Sequence, residues 1–370
     1  MARNVAIIGA GVIGLTLAIA LAKKGIYVTV YDGKKRVSDG AERASGILSK
    51  NGLERLQINY KSSIVNSLYG ARLHANRAEL NVKSKSVQAY VLDRGMFVEA
   101  LYKDALSFGV DVVLGQRLYE KDIKGIASDP DSIVVGADGA VSSVAKAFGF
   151  PKINEYVLTY KAEYSKAKIE DKHVVDLFFS NSISNRFFGW MAPYSDSKLE
   201  IGVGTSDSSK SNSRSAFEKL VKNSLIEQTI DGAVQDGMHA SLIPLAARKK
   251  TVSGNVLLVG DAAGQIKATT GGGIIFGASC AKTASEIIIR NINSNVPLSA
   301  YESEWRKRYG LDLRLHSILH RYYSGSGALG LELLMKTAKL LGAENFFSKY
   351  GDMDSPKIMI KRFFLRGLSD

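Results

Sequence analysis

The sequence predicts an α/β fold, α+β overall, with a Rossmann-type domain, an inserted antiparallel β-sheet domain and a C-terminal helical region. Three observations support this prediction. The first is a glycine-rich strand–helix–strand unit at the N-terminus, and the second is another strand–turn–helix at 255–290. The third is the alternation of aromatic and polar residues between them, which is typical of an antiparallel sheet with one solvated face.

The N-terminal unit has its parts in the order that a dinucleotide site requires. Residues 5–8 are all apolar, as in the central strand of a parallel sheet. Gly9 closes the turn, Gly11 lets a pyrophosphate approach the start of the next helix, and Gly14 lets that helix lie close to the sheet. Asp32 ends the second strand, where a carboxylate accepts hydrogen bonds from ribose hydroxyls and repels a 2′-phosphate. The unit therefore favours FAD or NAD over NADP.

Length and composition limit the class of protein. A chain of 370 residues exceeds the usual size of a single core, so two domains are expected. No apolar run reaches the roughly 20 residues that cross a bilayer. One cysteine, Cys280, and no secretory leader predict a cytoplasmic protein without disulfides. The net charge of +13 favours an anionic partner.

The predicted domains interleave along the chain. Residues 1–67, 85–150 and 251–295 are assigned to the nucleotide-binding domain, residues 68–84 and 151–250 to a substrate domain, and residues 296–370 to the helical region. A polar, Ser-rich loop is expected at 204–215.

The second strand–turn–helix adds polar groups to the same end of the sheet. Asp261 follows a buried strand and is placed to accept a hydrogen bond from a polyol hydroxyl. Gly271, Gly272 and Gly273 open a long apolar helix, so their backbone amides and the helix N-terminus suit an anion. Such a site fits the N1–C2=O edge of a reduced flavin.

The end of the chain alternates basic and apolar residues from 357 to 366. Such a pattern suits an amphipathic segment at an anionic membrane surface, and suits equally a helix docked on the body with a solvated basic face. Lysine and arginine are otherwise scattered, so nucleic acid is not an expected partner. No zinc signature is present, and no metal is expected.

Together these motifs resemble the geranylgeranyl reductase family of FAD-dependent oxidoreductases, archaeal digeranylgeranylglycerophospholipid reductases in particular, within the p-hydroxybenzoate hydroxylase-like superfamily. The resemblance covers roughly residues 1–295 and rests on segments in the expected order. These are Gly9–Gly14, Asp32, Ser45–Ser49, Val91–Arg94, Gly136–Gly139, Gly189–Pro193, Gly260–Ala263 and Thr270–Ile274.

The resemblance implies roles for individual residues. The residues implied to bind FAD are Gly9, Gly11, Val12, Ile13, Gly14, Asp32, Ser45, Gly46, Arg94, Asp138, Gly139, Gly260, Asp261, Gly271, Gly272, Gly273 and Ile274. The residues implied to line the substrate site are Phe187, Phe188, Gly189, Trp190 and Pro193. Gly272, Gly273 and Trp190 are the candidates beside the reacting groups. Arg94 suits a pyrophosphate as a forked cation, with a surface ion pair as the alternative, and the aromatic residues suit either an apolar tunnel or core packing.

One departure from the family pattern concerns the loop at 42–48. Many family members carry a cysteine just before the glycine of this loop, whereas this chain has Ser45 before Gly46. If that cysteine has a redox or gating role in those family members, this chain lacks it.

By resemblance, the expected activity is FAD-dependent saturation of C=C bonds in geranylgeranyl chains of membrane lipid precursors. The implied partners are an isoprenoid lipid, a membrane surface, and NAD(P)H or ferredoxin as reductant. A flavin monooxygenase acting on a small aromatic or polyketide-like substrate is the alternative. A flavin- or lipid-binding protein without catalysis is a third class.

Overall fold

The computed structural model describes residues 4–180, 182–184, 186–206 and 212–366, with no side chains described for 363–366. Residues 207–211 of the predicted Ser-rich loop, and the side chains of 363–366 in the predicted amphipathic segment, lie outside the described residues. The strands are β1 (Asn4–Ile8), β2 (Val28–Asp32), β3 (Ile47–Ser49), β4 (Ile64–Leu68), β5 (Gly70–Ala75), β6 (Ala78–Lys83), β7 (Ala89–Leu92), β8 (Asp111–Leu114), β9 (Ser132–Gly136), β10 (Tyr156–Ser165), β11 (Val174–Phe178), β12 (Gly189–Pro193), β13 (Leu199–Ser206), β14 (Val234–Pro244), β15 (Val252–Ser253) and β16 (Val256–Leu258). The helices are α1 (Val12–Ala22), α2 (Lys50–Leu56), α3 (Arg94–Ser107), α4 (Glu120–Ala127), α5 (Ser143–Ala147), α6 (Ser213–Leu220), α7 (Ser224–Ile230), α8 (Ile274–Ser294), α9 (Ala300–Gly325), α10 (Ala328–Leu340), α11 (Ala343–Tyr350) and α12 (Pro356–Arg366).

A six-stranded sheet in the order β15-β16-β9-β1-β2-β8 forms the first domain. All its neighbouring strands are parallel except the β15–β16 pair. Helices α1, α3 and α8 contribute to the core cluster on this sheet, together with Tyr301 and Trp305 of α9. The predicted Rossmann-type α/β fold is therefore confirmed. Because β1 lies between β9 and β2, the β1–α1 turn sits at the middle of the sheet edge where ligands bind.

A seven-stranded sheet in the order β14-β10-β13-β12-β11-β5-β6 forms the second layer. It is antiparallel except for the parallel pair β5–β11. The prediction of one solvated face is wrong for its centre, since every residue of β12 is buried and so is β13 up to Thr205. Phe217 and Leu220 of α6 cover one face, and an aromatic cluster covers the other.

A three-stranded sheet, β3-β7-β4, contributes side chains to the core clusters of both larger sheets. Its strand β3 follows the loop 42–46, and the amide of Leu92 at the end of β7 donates to the carbonyl of Gly46. One residue further on, Asp93 caps helix α3, whose first residue is Arg94. This sheet therefore places the loop beside the start of α3.

The C-terminal helices pack on both larger units. Helix α9 contacts α8, and α10 lies on the β5–β6 hairpin through Leu331 and Met335. Among the described residues, no helix combines the length and the apolar character needed to cross a membrane. Several apolar side chains of α10 nevertheless face outward, including Leu329, Leu333 and Leu340.

Candidate active site

The β1–α1 turn has the shape of an anion cradle. Gly9 has φ +113°, and a Cβ on it would lie 2.4 Å from the Ala137 carbonyl oxygen. A Cβ on Gly14 would lie 1.9 Å from the Gly9 carbonyl oxygen, so α1 can approach the turn only with glycine there. A Cβ on Gly11, in contrast, would meet nothing within 4 Å. No side chain caps α1 at Gly11, so its first amides remain available to a ligand.

The residues that follow, Val12 and Ile13, shape the turn by packing. Val12 is buried in the core, and Ile13 lies against Gly260 and Gly277. Asp32 accepts hydrogen bonds from the amides of Ala10 at 2.8 Å and of Lys34 at 2.9 Å. The carboxylate of Asp32 therefore holds the glycine turn, and its remaining acceptor sites are the ones that suit a ribose.

Asp138, in the turn after β9, forms hydrogen bonds within the protein. The Asp138 carboxylate accepts from Ser142 Oγ at 2.6 Å and from the Val144 amide at 3.1 Å, so it supports the start of helix α5, which Ser142 caps. Burial raises the pKa of Asp138, while these hydrogen bonds lower it in part. Gly139 has φ +80° with open space around it. The cofactor contact that the motif predicts at these two residues stays a prediction.

Arg94 is the clearest indication of a ligand site. Its Nε and Nη1 atoms are buried, and neither has a hydrogen-bond partner among the described residues. Burial lowers the pKa of Arg94 to about 10, while Tyr194 and Asp261 act in the opposite direction. Buried donors are almost always paired, and an unpaired charged donor costs several kcal/mol. The guanidinium thus fits a ligand that brings phosphate or several hydroxyl oxygens into the site, as FAD does. The surface ion pair considered for Arg94 is not what the structure contains.

Asp261 and the glycine loop approach Arg94 from the other side. Asp261 lies in a single 3₁₀ turn after β16, and burial raises its pKa while Arg94 lowers it. A Cβ on Gly273 would lie 2.5 Å from Asp261 Oδ1, so glycine is required for this approach. Helix α8 begins at Ile274 without a side-chain cap, and its first amides face the same region. Gly271 has φ +71°, and Gly272 packs on the Lys267 side chain.

A cavity of about 490 Å³ lies between the start of α3, the loop at 41–44 and the seven-stranded sheet. Arg94 and the loop at 41–44 form one side, and Lys161, Glu163 and Tyr194 form the other. Cations and carboxylates therefore line this cavity together.

Behind the cavity lies a buried charged network that the sequence did not reveal. Lys161 Nζ and Glu200 Oε2 are 2.6 Å apart, and the two residues are only 2% and 0% exposed. Trp190 Nε1 donates to Glu200 Oε1 at 2.6 Å, and the Tyr194 hydroxyl donates to Oε2 at 3.1 Å. Burial, and the nearby charge of Glu200, raise the pKa of Tyr194. The one available signal was a glutamate inside the apolar strand β13.

The predicted aromatic residues meet in one layer. The rings of Phe187 and Phe188 stack with centroids 4.4 Å apart, and Phe188 meets Trp190 edge-on at 6.2 Å. A Cβ on Gly202 or Gly204 would lie 2.2 Å from the Trp190 or Phe187 ring respectively. These glycines of β13 therefore make room for aromatic side chains.

Two other predicted substrate residues lie outside this aromatic layer. Gly189 faces the opposite side of the sheet, where a Cβ would lie 2.8 Å from the Leu220 side chain. The Pro193 carbonyl accepts from Asn66 Nδ2 at 2.9 Å. The aromatic layer itself reaches the glycine loop, since a Cβ on Gly271 would lie 3.6 Å from Phe187.

A second buried network closes the site from the C-terminal region, again without a sequence signal. Lys267 Nζ, beside Gly272, is 2.7 Å from Asp354 Oδ1. Ser49 Oγ also donates to Asp354. His316 Nδ1 is 2.8 Å from Thr269 Oγ1, and burial together with the Lys267 charge lowers the pKa of His316 to about 4.

This network predicts acid sensitivity. Because His316 is neutral in the folded state, its contribution to stability is complete above the unfolded pKa of about 6.5 and falls as pH drops towards 4. We expect the free energy of unfolding to lose about 2 kcal/mol from this residue between pH 7 and pH 5. Urea unfolding of the wild type and His316→Gln at both pH values measures it, with His239→Gln as control. An equal pH dependence in wild type and H316Q would contradict this prediction.

Cysteine and metal-ligating side chains form no second site in the described part of the chain. Cys280 is buried in α8, and burial raises its thiol pKa, so it is a packing residue. Within the ranges that the structure describes, no group of three or more His, Cys, Asp or Glu residues could hold a metal ion.

Comparison with known proteins agrees with this geometry. The FAD binding domain family model matches residues 2–309. Digeranylgeranylglycerophospholipid reductase 2 of Methanothermobacter thermautotrophicus is 26% identical over 365 residues, which cover 91% of this chain and 92% of the relative. Digeranylgeranylglycerophospholipid reductase of Methanothrix thermoacetophila is 27% identical over 350 residues, 87% and 88% of the two chains.

Solved structures share the fold. A geranylgeranyl bacteriochlorophyll reductase-like protein from Thermoplasma acidophilum aligns with TM-score 0.81 and 19% identity, covering 97% of this chain and 95% of that one. The flavin-dependent brominase Bmp2 aligns with TM-score 0.75 and 14% identity over all of both chains. At these identities the structural likeness establishes the fold alone.

Proposed function

Since the chain belongs to the FAD binding domain family, we propose that it is a flavin-dependent reductase that saturates C=C bonds in geranylgeranyl chains of membrane lipid precursors. The observation that carries the proposal is the similarity, over 83–91% of this chain, to relatives named digeranylgeranylglycerophospholipid reductase. A match of the nucleotide-binding half alone would fit many flavoenzymes. Here the similarity also spans the seven-stranded sheet.

The residues of the site suit FAD. The amides of the β1–α1 turn and the N-terminus of α1 would hold the pyrophosphate, and Asp32 the adenosine ribose. Arg94 would bind the ribityl chain or the phosphates, Asp261 the ribityl chain, and the amides at Gly272 and Gly273 the isoalloxazine edge. Reduced flavin, when bound, supplies the hydride for one alkene carbon, and a proton must reach the other.

The chain's own contribution is orientation and exclusion of water. An isolated alkene accepts hydride poorly, so the reaction requires a dry, ordered pocket. The aromatic layer of Phe187, Phe188 and Trp190 offers an apolar surface beside the glycine loop. The reductant would be NAD(P)H at the flavin or a ferredoxin.

The proposal is tested by anaerobic reoxidation of the flavin. Purified protein with FAD is reduced with dithionite, and a geranylgeranyl phospholipid in detergent is added. We expect the absorbance of oxidised flavin to return with the lipid and not with its fully saturated analogue. Suppose that the lipid does not oxidise the reduced flavin, but that O₂ admitted afterwards oxidises it rapidly and an aromatic substrate is hydroxylated. This result would instead support a monooxygenase. Reduction by NADH, NADPH or reduced ferredoxin in place of dithionite identifies the donor.

We also propose that the protein works at an anionic membrane surface. Leu329 and Leu340 of α10 are 78% and 87% exposed, and Leu333 and Leu341 are also exposed. We call these four residues the leucine face. Exposed leucines next to a positively charged body are the combination that binds anionic bilayers. The net charge of +13 supplies the attraction.

Removal of exposed leucines should weaken vesicle binding without unfolding the protein. For Leu333→Asn/Leu340→Asn we expect about 30-fold weaker binding to phosphatidylglycerol vesicles, because about 1 kcal/mol of apolar burial is lost per leucine. Co-sedimentation over a range of lipid concentrations measures this effect. Val141→Asn/Val234→Asn is the matched control, since both valines are exposed elsewhere. Equal binding of the leucine variant and the wild type would contradict the proposal.

A further inference from the structure

The loop of residues 43–46 is held by side chains from the seven-stranded sheet. Ser241 Oγ of β14 donates to the Arg43 carbonyl at 3.1 Å. Lys161 Nζ of β10 donates to the Ala44 carbonyl at 3.3 Å. A cationic donor binds a carbonyl more strongly than a neutral one does, so the Lys161 contact is the stronger of the two.

A third side chain approaches the same loop next to β12. Tyr194 lines the same cavity as Ala44 of the loop. Tyr194 and Lys161 both contact Glu200 Oε2, at 3.1 Å and 2.6 Å. Glu200 is in turn fixed by Trp190. One buried carboxylate therefore orients both side chains that reach the loop.

The residue between these contacts is left without a partner. Ser45 Oγ is buried and makes no hydrogen bond among the described residues. The other unpaired buried side-chain atoms in the described part of the chain are Nε and Nη1 of Arg94. Both residues border the region assigned to the cofactor, with neighbours Ala44 and Gly95 lining the same cavity.

We propose that Lys161 and Tyr194 are positioning residues that hold loop 43–46, and thereby the Ser45 hydroxyl, against the bound flavin. Glu200 locks the two side chains in place, and we call the three residues the loop clamp. A buried ion pair contributes little net stability, and a role in fixing one conformation explains its presence here. The inference rests on the proposed function for the identity of the ligand, but the clamp can be measured without any lipid.

The decisive variant must remove the clamp without leaving a buried charge. Lys161→Met alone would strand the Glu200 carboxylate, which costs about 3–5 kcal/mol and risks unfolding. Lys161→Met/Glu200→Gln is neutral and keeps an acceptor for Trp190 and a donor towards Tyr194. Tyr194→Phe is a second, milder variant. Lys161→Arg keeps the cation, and Lys168→Met breaks an exposed ion pair with Asp231 elsewhere in the same domain.

The test measures the loop and the flavin separately. Hydrogen–deuterium exchange of peptide 41–49 in the FAD-loaded protein should become about tenfold faster in K161M/E200Q and in Y194F, since the first loses the Lys161 bond to the loop and the second loosens Glu200, which orients Lys161. The absorption band shape and midpoint potential of the bound flavin should change in both variants. K168M should match the wild type in both measurements, and K161R, which keeps the cation, should lie closer to the wild type than K161M/E200Q does.

Unchanged exchange and an unchanged flavin spectrum in folded K161M/E200Q and Y194F would overturn the clamp. If exchange and the flavin spectrum change in these variants, but no lipid reoxidises the flavin of the wild type, the clamp is upheld and the proposed reductase is rejected. Should K161M/E200Q fail to fold, Y194F decides by the same two measurements.

Discussion

Replacement of Arg94 by methionine is expected to weaken FAD binding at least about a hundredfold. Two nitrogen atoms of the guanidinium are buried and have no hydrogen-bond partner among the described residues. These two donors are therefore available to the cofactor. Charge-assisted hydrogen bonds contribute about 1.5–3 kcal/mol each, and two of them account for this loss. Titration of the ligand-free protein with FAD, followed by flavin fluorescence, measures the dissociation constant.

The same variant has an expected effect without cofactor. Because the substitution removes the cation that lowers the pKa of the buried Asp261 carboxyl, the pKa of Asp261 should rise further in ligand-free R94M than in the ligand-free wild type. Arg94→Lys should bind FAD with intermediate affinity, since it keeps the charge and loses the forked geometry. Arg36→Met, at an exposed ion pair with Asp39, is the control. Wild-type affinity in R94M would show that the cofactor does not contact this residue.

Substitutions at Gly14 and Gly11 should separate folding from cofactor binding. In Gly14→Ala the new Cβ would overlap the Gly9 carbonyl oxygen, so either α1 or the turn must move. We expect a loss of about 2–3 kcal/mol in the free energy of unfolding, of the size that overpacking causes. In Gly11→Val the side chain enters open space, and φ −82° with ψ 179° suits valine. Stability should stay within about 1 kcal/mol, while FAD binding falls at least about a hundredfold because the side chain fills the pyrophosphate position.

Urea unfolding of the ligand-free variants and FAD titration of the same samples measure both quantities. Gly125→Ala in α4 is the matched control, since a Cβ there meets nothing within 4 Å. It should leave FAD binding unchanged and raise stability slightly, as replacement of a helical glycine does. Normal FAD affinity in Gly11→Val would place the pyrophosphate elsewhere.

The nucleotide-binding half was predictable because the residues that form its binding turn lie close together in the sequence. Gly9, Gly11, Gly14 and Asp32 lie within one βαβ unit, so spacing alone carries the geometry. The structure adds a steric reason for Gly9 and Gly14, and the family match confirms the FAD-binding prediction. The open sheet and the helix after Gly273 follow from the same kind of local pattern.

The substrate half was only partly predictable, because its contacts join distant strands. Lys161 and Glu200 are adjacent in space only through the pairing of β10 with β13. Asp354 meets Lys267 because helices α9–α11 return the chain to the glycine loop. The face of β12 and β13 predicted to be solvated is covered by α6, which periodicity within the strands cannot reveal. Contacts between residues far apart in the sequence determine which side chains are buried. Burial in turn determines which charged side chains need a partner inside the protein.

The most direct test of the proposed function is the mass of the product. The FAD-loaded, dithionite-reduced protein is incubated anaerobically with a digeranylgeranyl phospholipid, and the extracted lipid is analysed by mass spectrometry. We expect a gain of about 2 mass units for each reduced bond, the sum of one hydride and one proton, and no gain with R94M at the same FAD concentration. Lipid of unchanged mass after complete reduction of the flavin would contradict the reductase function.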